Sequence, residues 1–421
     1  MTTGILIPLL AAVTLPVVAV AEISHNKSYN DRTILLEGET VSNSIELAEN
    51  ESIMDSLRAR NGHSTIEGGV QLAGNLVRVR VEQQASLTFE GAIQGEAYLV
   101  LNPIAQESVI TFKGQYVNGA NRFTDQEGPG VVVVSSPENR VGEYRLRQGT
   151  LRTDAAHAFD PVTTVIRLGG DNEYNSATEA IFDLNGNDQE IAALAEADSP
   201  RNSRTVTSSD PALLTISGWQ KGSSFSGQLS GNLSLLKKGG ESFLLKGEHS
   251  HTGSTKVQEG VLELEQAMLT HTSRVEIMRD GILKGSGLLK GDTVVEGTLE
   301  PLSQLRSGNL SFMRDSVLIW TNGIGENDPA LKIEGRLQLH APVHLRLAFE
   351  QGTHRWDDSK WSQPGRWIIA RTEKGISGAP GIKLSAEQWK DSAGRTLKSV
   401  HPRAGFQIRH TGNDLELTYH P

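Results

Sequence analysis

Along most of the chain, apolar and polar residues alternate in short runs separated by Gly, Asn or Asp. The runs at 76–81, 86–91, 98–101 and 109–114 each read as a strand with one face turned inward. Val131-Val132-Val133-Val134, bounded by Gly130 and Ser135, is a continuous apolar run of the kind a fully buried strand shows. Helical periodicity is scarce. Residues 190–197 have helix-forming composition and residues 46–60 are a second, less periodic case, both too short to set the fold class. The pattern predicts an all-β chain.

The chain also repeats itself. A strand follows a Gly, a turn leads to a second Gly, and a third Gly comes at a fixed distance: Gly142 to Gly149 in one place, Gly253 to Gly260 in another. Gly281, Gly285, Gly287 and Gly291 form a further cluster. Each reads as a corner that a Cβ would obstruct. One such unit cannot bury its inner face alone, but stacked on neighbours it becomes a coil of a parallel solenoid.

The stretch from Leu235-Leu236-Lys237-Lys238-Gly239-Gly240-Glu241 through Thr252-Gly253-Ser254-Thr255 to Gly260-Val261-Leu262-Glu263-Leu264 resembles the autotransporter-associated β-strand repeat. Glu241 stands where that family usually has a second Gly. The segments at 181–191, 280–291 and 297–301 resemble other strand and corner runs of the same family, and those at 365–370 and 413–419 its final strands. The resemblance covers 131–419 and implies a secreted, right-handed β-helical passenger-like region, commonly surface-exposed. The sequence shows no run like the C-terminal membrane barrel of autotransporters, so release, a periplasmic location or export by another system is expected.

Composition narrows the classes. There are 43 Gly in 421 residues, above the usual share of roughly 7%. Cys is absent, which excludes a disulfide scaffold, a thiol nucleophile and Cys-based metal centres. The formal charge of −10 gives no electrostatic reason to seek nucleic acid. Residues 5–21 carry no charge and end in Ala19-Val20-Ala21 before Glu22, the form of a secretory signal cleaved between Ala21 and Glu22. Pro8 and Pro16 interrupt that run, which argues against an anchor, and no other stretch is long enough to span a bilayer.

Candidate chemistry is sparse. Asp183-Leu184-Asn185-Gly186-Asn187-Asp188 invites a Ca²⁺ loop, but Gly186 falls too early and Leu194 occupies the place of the bidentate Glu. It reads as an Asn-Gly turn. Trp356, Asp357, Asp358 and Trp361, with Trp367 and Trp389 beyond, read either as a sugar-stacking platform beside paired carboxylates or as a hydrophobic cap on the solenoid end, and the cap reading is favoured. His249 and His251, with His271, are the residue types of a Zn²⁺ or Cu²⁺ site, but their place in a polar loop predicts solvated side chains. No cofactor is expected.

These readings predict a signal peptide at 1–21 and a leader or cap at 22–60. A right-handed parallel β-helix (β-solenoid) follows at 61–340, then a β-rich capping segment at 341–421. About a dozen coils of roughly 20–25 residues are expected, in a rod on the order of 55–60 Å long. The expected function is a non-enzymatic, secreted or cell-surface, adhesin-like structural protein, in contact with extracellular polysaccharide or envelope components. The alternatives are a β-helical polysaccharide lyase or hydrolase using Asp183, Asp188, Asp357 or Asp358, and a carbohydrate-binding protein using the tail tryptophans. An enzyme predicts three or more charged groups converging in one groove along the rod.

Overall fold

A computed structural model describes residues 33–49, 55–119, 121–170, 179–197, 202–218, 223–321, 328–348, 355–378, 381–385 and 390–421. The proposed signal and its cleavage point at Ala21 and Glu22 lie outside them, as does Trp389. Alternation decides the local structure. In Leu76–Val81, Val77, Val79 and Val81 are buried while Leu76, Arg78 and Arg80 face outward. Such a strand has no use for its inner face until another stacks on it. The chain supplies that partner one coil later, in parallel, and winds into a β-solenoid of about 12 turns.

The register produces continuous ladders inside the rod. Leu87, Ile110, Val132, Leu151, Phe182, Val206 and Leu229 stack in consecutive coils, and none has measurable exposure. Phe243, Leu262, Leu283, Leu299, Leu318 and Leu345 continue the interior further along. Burying each such side chain contributes about 1.5–3 kcal/mol. Contacts between coils lie 23 residues apart at Lys113–Glu90 but 31 apart at Arg152–Asp183, so coil length varies while the ladder register is kept.

Corners explain the glycines. At Gly91 and Gly114 an added Cβ would stand 2.2 and 2.1 Å from the carbonyl oxygen of the glycine one coil earlier, a column with no room for any side chain. Gly260 instead needs the left-handed region, at φ +70. Gly253, Gly281 and Gly291 have ordinary φ and are required by close approach of the neighbouring coil.

Two sequence expectations change. Residues 190–197 are not helical: Gln189–Ile191 and Ala193–Glu196 are strands, because Ile191 and Leu194 are drawn into the core and the alanines are small enough to bury at the bend between them. Residues 46–60 likewise contribute Ile45–Ala48 and Leu57–Ala59. Coil stacking is already present at Ile34–Leu36, paired with Leu57–Ala59, upstream of residue 61. Parallel pairing also continues past residue 340, where Val343–Ala348 stacks on Val317–Thr321 and under Ile382–Ser385.

The C-terminal end abandons parallel pairing. Gly365–Thr372 stacks on Leu331–Ile333 but pairs antiparallel with Asp414–His420, which forms a hairpin with Gly405–Thr411. Trp356, Trp361, Trp367, Phe406 and Tyr419 pack edge-on and tilted beside this hairpin, and the Tyr419 hydroxyl donates to the Trp361 carbonyl at 2.8 Å.

Candidate functional site

A column of buried amides shapes one corner of the rod. Asn139 has no exposure; its Oδ1 accepts from the Tyr116 N–H at 2.7 Å and its Nδ2 donates to the Ser136 and Ala158 carbonyls, each at 2.7 Å. One coil before, Asn118 bonds both the N–H and the carbonyl of Ala97. Two coils after, Gln189 accepts from the Ala158 N–H at 2.9 Å and donates to the Ala155 carbonyl. These amides satisfy corner backbone groups that turn away from the strand ladders, a demand that would otherwise cost about 1–3 kcal/mol per group.

Because the amides point inward, their sequence neighbours point outward. Glu138, beside Asn139, has φ 58, and His157, beside Ala158, has φ 52. For Glu138 the left-handed region is uncommon, whereas His is among the residue types enriched there. Their backbones are held by the Glu138 N–H donating to the His157 carbonyl at 2.8 Å and the His157 N–H donating to the Asp188 carbonyl at 2.9 Å. Both side chains are exposed.

They open onto a groove made of two adjoining concavities of about 420 and 410 Å³ that share His157 and Glu190. The groove runs from Glu138 and Arg140 at one end to Gln258 and Glu259 at the other. Glu190 and Lys238 form an ion pair across its middle at 2.7 Å. Asp160 is committed to its own turn, accepting from the Val162 and Thr163 N–H groups, and Asp188 Oδ1 accepts from the Leu213 N–H at 2.8 Å. Thr215 lines the floor with 6% exposure, between Glu190 and Leu236 of the adjacent coils. Five carboxylates (Glu138, Asp160, Asp188, Glu190, Glu259) stand against the cations Arg140 and Lys238.

The residues singled out from sequence take other places. Asn185 and Gly186 have φ 49 and 77, the Asn-Gly turn expected there. Asp183 Oδ1 accepts from the Asn185 N–H, and its Oδ2 from Arg152 Nε at 3.0 Å. Asp188 faces the groove, so the two aspartates are employed separately. Trp356 and Trp361 are 0% and 2% exposed, 4.9 Å apart between ring centres at 59°, and present no open stacking face. Asp357 is at the surface, where the guanidiniums of Arg395 and Arg355 hold its carboxyl well below the usual range. Asp358 precedes the short 3₁₀ turn Ser359–Ser362, its carbonyl accepting from the Trp361 N–H.

The histidines expected to be solvated are buried. His249 and His251 have no exposure, because His249 ends the strand Ser242–His249 in register with Leu269 and the Ser250 and His251 N–H groups donate to the Leu229 carbonyl of the preceding coil, so the segment stays in the stack. The Leu229 N–H donates to His249 Nδ1, and His251 Nε2 bonds the Thr255 hydroxyl at 2.8 Å. Burial, joined for His249 by the neighbouring His251, pushes both down to about 4. His271 remains outside, bonded to Thr270. Among the described residues no group of three or more His, Asp or Glu is placed to hold a metal.

Sequence reasoning missed the groove. Its residues are contributed by coils of unequal length, and only the register brings Glu138, His157 and Glu190 together. The available signal was an acidic residue beside an Asn or Gln at Glu138-Asn139 and Asp188-Gln189.

Among the described residues no helix is long and apolar enough to cross a membrane. No family model matches the chain. Over 140 residues, 33% of this chain, the sequence is 30% identical to the adhesin BmaC autotransporter of Brucella suis biovar 1 (strain 1330). The chain spans 4% of the length of that protein. The molecule is thus a parallel β-solenoid with a partial likeness to an autotransporter adhesin.

Proposed function

We propose that the chain is an exported, surface-displayed, adhesin-like solenoid, built from repeats of the autotransporter-associated type, that binds extracellular polysaccharide without cleaving it. The observation that carries this reading is the groove: charged and polar side chains set among Leu213, Leu236, Phe159 and Pro161, assembled from several coils of one hydrogen-bonded rod. The partial likeness to an adhesin supports it. Binding suits the local chemistry. Asp160 and Asp188 are occupied by backbone N–H groups and Glu190 by Lys238, so these carboxylates are fixed as surface features. Beads coated with the full chain should adhere to polysaccharide-bearing cell surfaces, and excess free chain should compete. Adherence equal to that of uncoated beads contradicts the reading.

One observation favours a second reading, a carbohydrate-active enzyme in the same groove: His157 and Glu190 line the same concavity, with Asp160 and Arg140 beside them. That reading predicts shortened polysaccharide products, lost in His157→Ala and Glu190→Gln.

A further inference from the structure

The repeat distance of the groove bears on what can lie in it. Its outward groups come from successive coils, at the residues Arg140, Asp160, Glu190, Thr215 and Leu236, and end in the next coil at Gln258, two residues beyond Lys256, the register partner of Leu236. At about 4.8 Å between coils this row is on the order of 24 Å long. A ligand lying along the rod therefore meets a new set of side chains at every coil step. An extended peptide advances by about 3.4 Å per residue and falls out of phase with the coil step.

Charge selects among polysaccharides. The five groove carboxylates exceed the two permanent cations, which repels uronic acid chains and favours a ligand carrying positive charge. Glu138 and Glu259, at the two ends, are exposed. The floor adds a specific donor and acceptor: Thr215 is 94% buried by its neighbours, lines the groove, and its hydroxyl makes no hydrogen bond among the described residues. A ligand hydroxyl or amine is the partner that such a group lacks.

We infer that this groove is a binding site for a linear glycan bearing free amino groups, such as a partly de-N-acetylated aminohexose polymer. The chain lies along the rod, with its amines on the Glu138 and Glu259 carboxylates and one sugar over Thr215. The inference rests on the adhesin-like reading and deepens it.

The test uses the full chain, immobilised, against de-N-acetylated aminohexose oligomers, their fully acetylated counterparts, uronate oligomers and a Lys-rich peptide. The expected result is binding of the amino oligomers alone, weakened by salt. Glu138→Gln with Glu259→Gln should weaken it by about tenfold or more, as expected for loss of charge-assisted hydrogen bonds. Thr215→Val, which keeps the shape, should weaken it less and should not alter the salt dependence. Equal binding of acetylated or uronate oligomers, preference for the peptide, or no effect of the carboxylate substitutions overturns the inference. Bead adherence that persists while no amino oligomer binds sinks this site and leaves the adhesin-like reading standing. Loss of both sinks both.

Discussion

The N–H of His157 donates to the carbonyl of Asp188 at 2.9 Å, joining two coils whose outward side chains line one groove. A single backbone bond at a corner thus connects the solenoid's internal order to its candidate binding surface. The amides on the other side of that corner, Asn139 and Gln189, hold it in place.

Asn139 is accordingly predicted to matter for stability and for the groove together. Asn139→Leu removes the partners of the Tyr116 N–H and the Ala158 carbonyl inside the rod. A loss on the order of 3 kcal/mol is expected in urea unfolding, with weaker ligand binding in molecules that remain folded. An unchanged unfolding midpoint would count against the amide column as the support of this corner.

His249 and His251 should make the rod acid-sensitive well above the carboxylate range. Both titrate near 4 in the folded chain against 6.5 unfolded, because burial disfavours the imidazolium. Above pH 6.5 both states are neutral and the full stability is present. Between 6.5 and 4 the unfolded chain takes up protons that the folded chain refuses, so stability falls as pH falls, and below 4 the loss is complete. The loss is on the order of 3 kcal/mol for each imidazole. Urea midpoints at pH 7 and 4.5 should differ strongly in the native chain and much less in His249→Gln, His251→Gln.

Lys237 gives the opposite end of the pH range. It occupies a core ladder position between Ile216 and Val257, with no exposure, and its Nζ donates to the Lys238 and Gly239 carbonyls at 2.8 and 2.7 Å. Burial lowers it from 10.5 to about 8. Between pH 8 and 10.5 the unfolded chain binds a proton that the folded chain lacks, so stability should rise with pH through that window. Lys237→Met should remove this rise. A native chain with no such rise beyond that of Lys237→Met contradicts the assignment.

Much of this fold was legible in the sequence. Alternation at 76–81, the valine run at 131–134 and the spacings of Gly149 and Gly260 all reflect local backbone and burial constraints, and these translate directly into coils. The groove was not legible, because Glu138, His157 and Glu190 are brought together by register across turns of different length. The histidines illustrate the same point. His249-Ser250-His251 is polar by composition, and only its place in the coil stack, between Leu229 and Leu269, puts both rings inside.

At the C-terminal end, Trp361 is 2% exposed and touches Trp356, Trp367, Phe406 and Tyr419. Trp361→Ala should cost about 3–5 kcal/mol. It should also raise hydrogen exchange in Gly405–Thr411 and Asp414–His420 before the coils at the other end respond. Uniform exchange along the rod would contradict a local capping role.

The most direct test of the account incubates the full chain with an amino-bearing polysaccharide, follows binding by calorimetry, and sizes the polysaccharide afterwards by mass spectrometry. The account predicts saturable binding, weakened about tenfold or more by Glu138→Gln with Glu259→Gln, and a polysaccharide of unchanged length. Shortened chains that disappear in Glu190→Gln would contradict it and establish the groove as catalytic.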